Sequence, residues 1–179
     1  MARQGPNNAG REWLEVVDQR NEPLAVMPRE EVHSLGLPHR SVFVLLYNEQ
    51  NKLYLQKRCM DKRRHPGCWD LSATGHVLAG EAKLEAARRE LYEELRVEVN
   101  TLHPLYELPG SPGTGQEFIT LFRTGPCRRV PDPNPDEVDS GMFLERHEMD
   151  YLVRRFRHLF TPGVITFWNK GLLFSGTGC

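Results

Sequence analysis

Residues 75–97 read GHVLAGEAKLEAARRELYEELRV. A Gly-rich turn leads into a run whose apolar residues Leu84, Ala87, Leu91 and Leu95 recur at steps of three and four, which predicts a helix over residues 82–95 with that stripe against a sheet. The same geometry gathers Glu90, Glu93 and Glu94, at i, i+3 and i+4, on an adjacent face. Like charges at these spacings destabilise a helix by about 0.2–0.5 kcal/mol per pair, so the cluster calls for bulk water or a cation. Magnesium takes hard oxygen ligands and suits one or two carboxylates together with substrate phosphates. Spacing alone does not decide against a solvated acidic face, the commoner reading of a bare ExxEE.

Outward from this helix the chain alternates short extended pieces with helices. Extended pieces are expected at residues 13–18 and 23–27, then at 41–47 and 52–58 as a hairpin whose first strand is buried on both faces, and later at 102–108, 118–123 and 141–144. A short helix is expected at 29–35 and further ones at 150–160 and 164–173. Strands interspersed with helices predict a mixed α/β fold with a mixed sheet covered on both sides. Residues 109–115 and 126–135 are turn-rich loops that either border a site or move freely. Residues 1–11 and 175–179 offer little to bury and are expected to fray.

The chain has 179 residues, 39% of them hydrophobic and 26% charged, which fits one soluble domain. A net charge of −1 supplies no global field for a nucleic acid polymer or an anionic membrane, so an anionic ligand must be met by a local cluster. Cys59, Cys68, Cys127 and Cys179 have no CxxC spacing, and the first residues lack the apolar core of a signal peptide. A cytoplasmic location is the expectation, with no apolar run of membrane-spanning length.

The pattern Gly75, five residues, Glu81, seven residues, then Arg89-Glu90-Leu91-Tyr92-Glu93-Glu94-Leu95-Arg96-Val97 resembles the Nudix box. Every defined position matches except Arg96, where the box has Gly. The resemblance implies a Nudix-type α/β/α sandwich, organised as an N-terminal arm (1–37), a Nudix domain (38–168) and a C-terminal tail (169–179). It implies hydrolysis of a diphosphate linkage in a small molecule such as a nucleoside diphosphate derivative, with Mg2+ as cofactor and Mn2+ as a substitute. Glu90 and Glu94 become metal ligands, and Glu93 a ligand or the base that activates water. Arg89 becomes an orienter paired with a carboxylate; Glu81 caps the helix N-terminus or takes part in catalysis. Arg96 stands where a glycine would turn left-handed, so its departure bears on stability and not on ligands.

His33, His39-Arg40, Lys57-Arg58, Lys62, Pro66-Gly67-Cys68-Trp69-Asp70 and Gly75-His76 extend the resemblance to the branch of isopentenyl-diphosphate isomerases and their hydrolase relatives. In the isomerase a cysteine precedes the Gly-His pair; here Thr74 does, and a hydroxyl is too weak an acid for that proton transfer. Hydrolysis is therefore the primary reading and isomerisation the alternative. A protein that only senses nucleotides or diphosphates is a third. By the same resemblance Arg58 and Lys62 bind diphosphate, whereas Arg63 and Arg64 gain no such support. His39 and His76, with Glu117, are candidates for a second metal, the alternative being structural histidines. The N-terminal arm and the 109–115 loop are the expected pocket walls. Trp69, Tyr106 and Phe118 could stack a base but sit in contexts that suit a core. The apolar residues of 164–174 are either core or a homodimer contact.

Overall fold

The computed structural model describes residues 12–174; the expectations for residues 1–11 and 175–179, and for Cys179, fall outside them. In chain order the elements are β1 (Trp13–Val17), β2 (Pro23–Pro28), α1 (Arg29–Ser34), β3 (His39–Asn48), β4 (Leu53–Arg58), β5 (Trp69–Asp70), β6 (Ala73–His76), α2 (Lys83–Leu95), β7 (Leu102–Leu108), β8 (Glu117–Cys127), β9 (Val138–Leu144), α3 (Arg146–Phe156) and α4 (Pro162–Asn169). All nine strands join one mixed sheet. No helix among the described residues is long and apolar enough to cross a membrane.

β3 is the hub. Its residues alternate between the two faces of the sheet, as a pleated strand requires. Val42, Val44 and Leu46 pack with Ala86, Ala87, Leu91 and Leu95 of α2. Leu45 and Tyr47 pack with Met149 and Val153 of α3 and with Val164 and Phe167 of α4. The strand is thus buried on both faces, with α2 as one layer and α3 and α4 as the other. The apolar residues after Val164 serve the core of this chain: Phe167, Leu173 and Phe174 are buried, and the Tyr47 hydroxyl donates to the carbonyl of Leu173.

Pairing departs from the expected hairpin. β3 and β4 meet at one pair, Tyr47 opposite Leu53. Instead β3 runs parallel to β8 from His39 opposite Glu117 and antiparallel to β6 from Ser41 opposite His76. β4 forms its ladder with β9 and a short one with β5. The consequence for function is positional: the start of β3, the start of β8 and the end of β6 lie side by side, carrying His39, Glu117 and His76.

The stripe of α2 also needs correction. Leu84 is 36% exposed, while Ala86 and the carboxylate-bearing Glu94 are buried. The buried face is rotated toward Glu94, so one of the three glutamates points inward and not into water.

Candidate active site

Gly75 is required for space and not for an unusual dihedral. A β-carbon there would lie 2.0 Å from the carboxylate of Glu90. The turn that follows reverses at Gly80, φ 79°, and brings Glu81 over α2. Glu81 does not cap that helix, whose N-cap Ala82 has no side-chain bond. Its Oε2 accepts from the amide of Leu78 at 3.0 Å, and both its oxygens accept from Arg89, at 2.8 and 2.9 Å.

Arg89 spends every face of its guanidinium. Nη1 donates to Glu90 at 2.7 Å and to Glu93 at 3.1 Å, and Nη2 donates to the carbonyl of His76 at 2.9 Å. These bonds tie the carboxylate group to the histidine strand. These partners push the guanidinium pKa further up.

Glu94 is 2% exposed. Two donors, the Gln56 amide at 2.7 Å and the Thr74 backbone N–H at 3.0 Å, both bind its Oε2, so Oε1 is not committed by them. Burial raises its carboxyl to about 7 despite those donors. Burial, and next the charge of Glu94, raise Glu90 to about 8. Glu93 is half exposed, its side chain 52% accessible. One arginine charge faces Glu81, Glu90 and Glu93 together, and carboxylates crowded in this way favour either protons or a divalent cation.

Of the two basic residues assigned to diphosphate, Arg58 pairs with buried Asp70 at 3.1 Å and Lys62 pairs with Glu137. Glu94 lies close enough to Lys62 for each to shift the other's titration. Arg64, which the sequence left without support, reaches Glu117 at 3.7 Å and borders Gly115 of the 109–115 loop. The 126–135 loop is held in place: the amides of Asp132 and Asn134 donate to the carbonyls of Leu95 and Glu94.

Beside the carboxylates, His33 of α1, His39 of β3 and His76 of β6 converge, each offering a ring nitrogen within 4.8 Å of the others. His33 Nε2 and His76 Nε2 are 3.0 Å apart. His39 Nδ1 lies 2.8 Å from the carbonyl of Leu37, which must accept, so Nδ1 carries the proton. Its Nε2 is then a lone pair, buried and without a partner among the described residues. Burial lowers His33 to about 3 and His39 to about 4, so both are neutral at physiological pH. Neutral imidazoles converging on one point suit a divalent cation with nitrogen ligands. Glu117 stands next to His39 across the parallel ladder but outside the tight cluster, which takes His33 in its place; burial raises its carboxyl.

Sequence reasoning had placed His33 only within a general resemblance. Its spacing of six residues from His39, across the turn between α1 and β3, was the available signal. Gln56 and the Thr74 amide had none, since a glutamine in a strand and a backbone N–H look ordinary in sequence. Trp69 and Tyr106 pack against the core, and the ring of Phe118 lies over Gly110. A cleft of about 280 Å³ lined by Tyr47, His103 and Arg123 lies elsewhere and holds none of these groups.

Residues 37–162 match the family model described as the NUDIX domain. An isopentenyl-diphosphate Delta-isomerase of Pectobacterium atrosepticum is 33% identical over 156 residues, 86% of this chain and 84% of that relative. An uncharacterized Nudix hydrolase of Pseudomonas aeruginosa is 41% identical over 97 residues, 54% of this chain and 56% of the relative. Among solved structures, the Deinococcus radiodurans protein DR0079 aligns with a TM-score of 0.75 at 28% identity, over 90% of this chain and 99% of that one.

Proposed function

The chain belongs to the Nudix family, and on that premise we propose that it is a divalent-metal-dependent hydrolase that cleaves a diphosphate linkage in a small molecule, a nucleoside diphosphate derivative being the favoured class. The observation that carries the reading is the pair Glu90 and Glu94. Glu94 is buried and Glu90, its side chain 13% accessible, lies beside it, the two pushed up to about 7 and 8, and Glu90 shares with Glu93 and Glu81 the single charge of Arg89. A protein that only needed stability would be better served by apolar residues in their place.

Glu90, Glu93 and Glu94 would hold Mg2+, or Mn2+ in its stead. A bound cation of this kind neutralises charge on phosphate oxygens and lowers the pKa of water. Glu94 is kept in one orientation by Gln56 and Thr74, with Oε1 left for the site. Arg89 holds Glu90 at 2.7 Å and Glu93 at the longer 3.1 Å, and Glu93, the most accessible of the three, accepts the proton of the attacking water. Arg58 and Lys62, held ready by Asp70 and Glu137, receive the diphosphate. His33, His39 and His76 form a second, nitrogen-donor site for a cation, with Glu117 beside it.

The histidine cluster, and the relatives named isomerases, favour one further reading, an isopentenyl-diphosphate isomerase-like reaction. Thr74 argues against it, because its hydroxyl cannot take the acid–base role of a thiol at that position.

Release of phosphate and nucleotide from a panel of nucleoside diphosphates, nucleoside triphosphates, nucleotide sugars and isopentenyl diphosphate tests both, with magnesium and with chelator. The expected result is magnesium-dependent hydrolysis that falls at least 100-fold in Glu93→Gln and in Glu94→Gln. Normal rates in both variants would remove the site assignment, and conversion of isopentenyl diphosphate to its isomer would replace hydrolysis by the second reading.

A further inference from the structure

We propose that Glu12 is a positioning residue for the histidine cluster: its carboxylate, at ion-pair distance from Nδ1 of His76, draws the ring proton to that nitrogen, so that the Nε2 lone pair of His76 faces the site shared with His33 and His39. The proposal rests on the reading of these histidines as cation ligands. It adds a residue that lies, like His33, outside the part of the chain matching the family model, residues 37–162.

The two oxygens of Glu12 have different partners. Oε1 is 3.3 Å from Arg29 Nη1, and Oε2 is 3.6 Å from His76 Nδ1. The backbone straps the residue in place: the carbonyl of Glu12 accepts from the amide of Arg29 at 3.0 Å, and that of Trp13 accepts from the amide of Ala79 at 2.8 Å, three residues beyond His76. The carbonyl of His76 is meanwhile held by Arg89. The ring is therefore fixed at its backbone from one side and met at Nδ1 from the other.

A proton count over the three rings follows. His39 has its proton on Nδ1, facing the Leu37 carbonyl, and a lone pair on Nε2. With the Glu12 carboxylate 3.6 Å from its Nδ1 and drawing the proton there, His76 takes the same arrangement. The 3.0 Å contact between His33 Nε2 and His76 Nε2 needs one proton between them, and it belongs to His33. Two of the three ligands are thus preset, and His33 is the one whose ring proton moves to Nδ1 when a cation enters. A carboxylate on the far nitrogen of a ligating histidine fixes its tautomer and makes it more basic, and loss of such a partner costs roughly 10–100-fold in metal affinity. The alternative is that Glu12 merely pairs with Arg29 at the surface, a contact of little consequence.

The test uses the full chain and two readouts, long-range 15N NMR of the histidine rings in the metal-free protein at pH 7.5 and zinc affinity by competition with a chromophoric chelator. In the wild type, His76 is expected as the Nδ1–H tautomer. Glu12→Ala should shift it toward Nε2–H and weaken zinc about 10–100-fold, whereas Glu12→Gln, which keeps an acceptor oxygen, should retain the tautomer and most of the affinity. Arg29→Ala should leave both within about twofold. An unchanged His76 tautomer in Glu12→Ala overturns the proposal, as does an Arg29→Ala variant that reproduces the Glu12→Ala effect. A wild type that binds no zinc would remove the reading of the histidines as ligands, while the tautomer of the metal-free ring still decides the role of Glu12.

Discussion

At position 96 the backbone turns left-handed, φ 55° and ψ 28°, to close α2. A residue with a β-carbon pays about 1 kcal/mol or more there, and glycine does not. Arg96 recovers part of this through the ring of Tyr92, 5.4 Å from its guanidinium carbon, an exposed contact of about 0.5 kcal/mol. Arg96→Gly is therefore expected to leave turnover unchanged and to raise the melting temperature by about 1–3 °C, read by scanning fluorimetry. A fall of several degrees, or lost turnover, would give Arg96 a role in the site. The box residues were legible because their spacing is local: Glu90, Glu93 and Glu94 share a helix face by arithmetic alone. What grips them was not. The bond from Gln56 to Glu94 spans 38 positions, and the 3.6 Å approach of Glu12 to His76 spans 64, distances over which no periodicity survives. Gly75 was legible as a residue but not in its reason, which is the room Glu90 needs.

Elements were legible where their period was long enough to count. β3, β4, β7 and α2 fall close to their expected bounds. β5 and β6, of two and four residues, are too short for alternation to register, yet β6 carries Gly75 and His76. α3 and α4 begin at Arg146 and Pro162, earlier than hydrophobic spacing suggested, because their starts are set by polar bonds. The Glu145 amide donates to the Glu148 carboxylate at 2.7 Å, and Thr161 caps α4 ahead of a proline at its first turn. Thr161 also donates to Asp70 at 2.7 Å, and the other oxygen of Asp70 holds Arg58. The last helix is in this way wired to the basic loop. Thr161→Val removes the cap and leaves a buried carboxylate short of a donor, which costs about 1–3 kcal/mol. The expected fall in melting temperature is about 3–10 °C, and an unchanged melt would mean that the Asp70–Thr161 bond carries no weight.

Across the whole molecule, two sets of buried and partly buried groups set stability against pH with opposite signs. Glu90 and Glu94 are raised in the fold, so the native state binds more protons than the unfolded chain from roughly pH 4.5 up to about 8, and stability falls as pH rises through that window. His33 and His39 are lowered, so the unfolded chain binds more protons below roughly 6.5, and stability is lost as pH falls. The sets oppose one another below 6.5, and above it only the carboxylates act. In chelator, stability should therefore drop by roughly 2 kcal/mol between pH 6.5 and 8, about 5 °C in melting temperature. Magnesium, favouring the ionised carboxylates of the native state alone, should erase most of that drop. A flat melt in chelator, or an equal magnesium effect at both ends, would contradict it. The layering of the sheet has a further consequence, in the order of synthesis. One face of β3 receives its cover from α2, made soon afterwards, but the other waits for Met149, Val153, Val164, Phe167, Leu173 and Phe174. For as long as the ribosome takes to add about a hundred residues, at roughly 5–20 residues per second, a nascent chain displays a bare apolar sheet face, the kind of surface that chaperones shield.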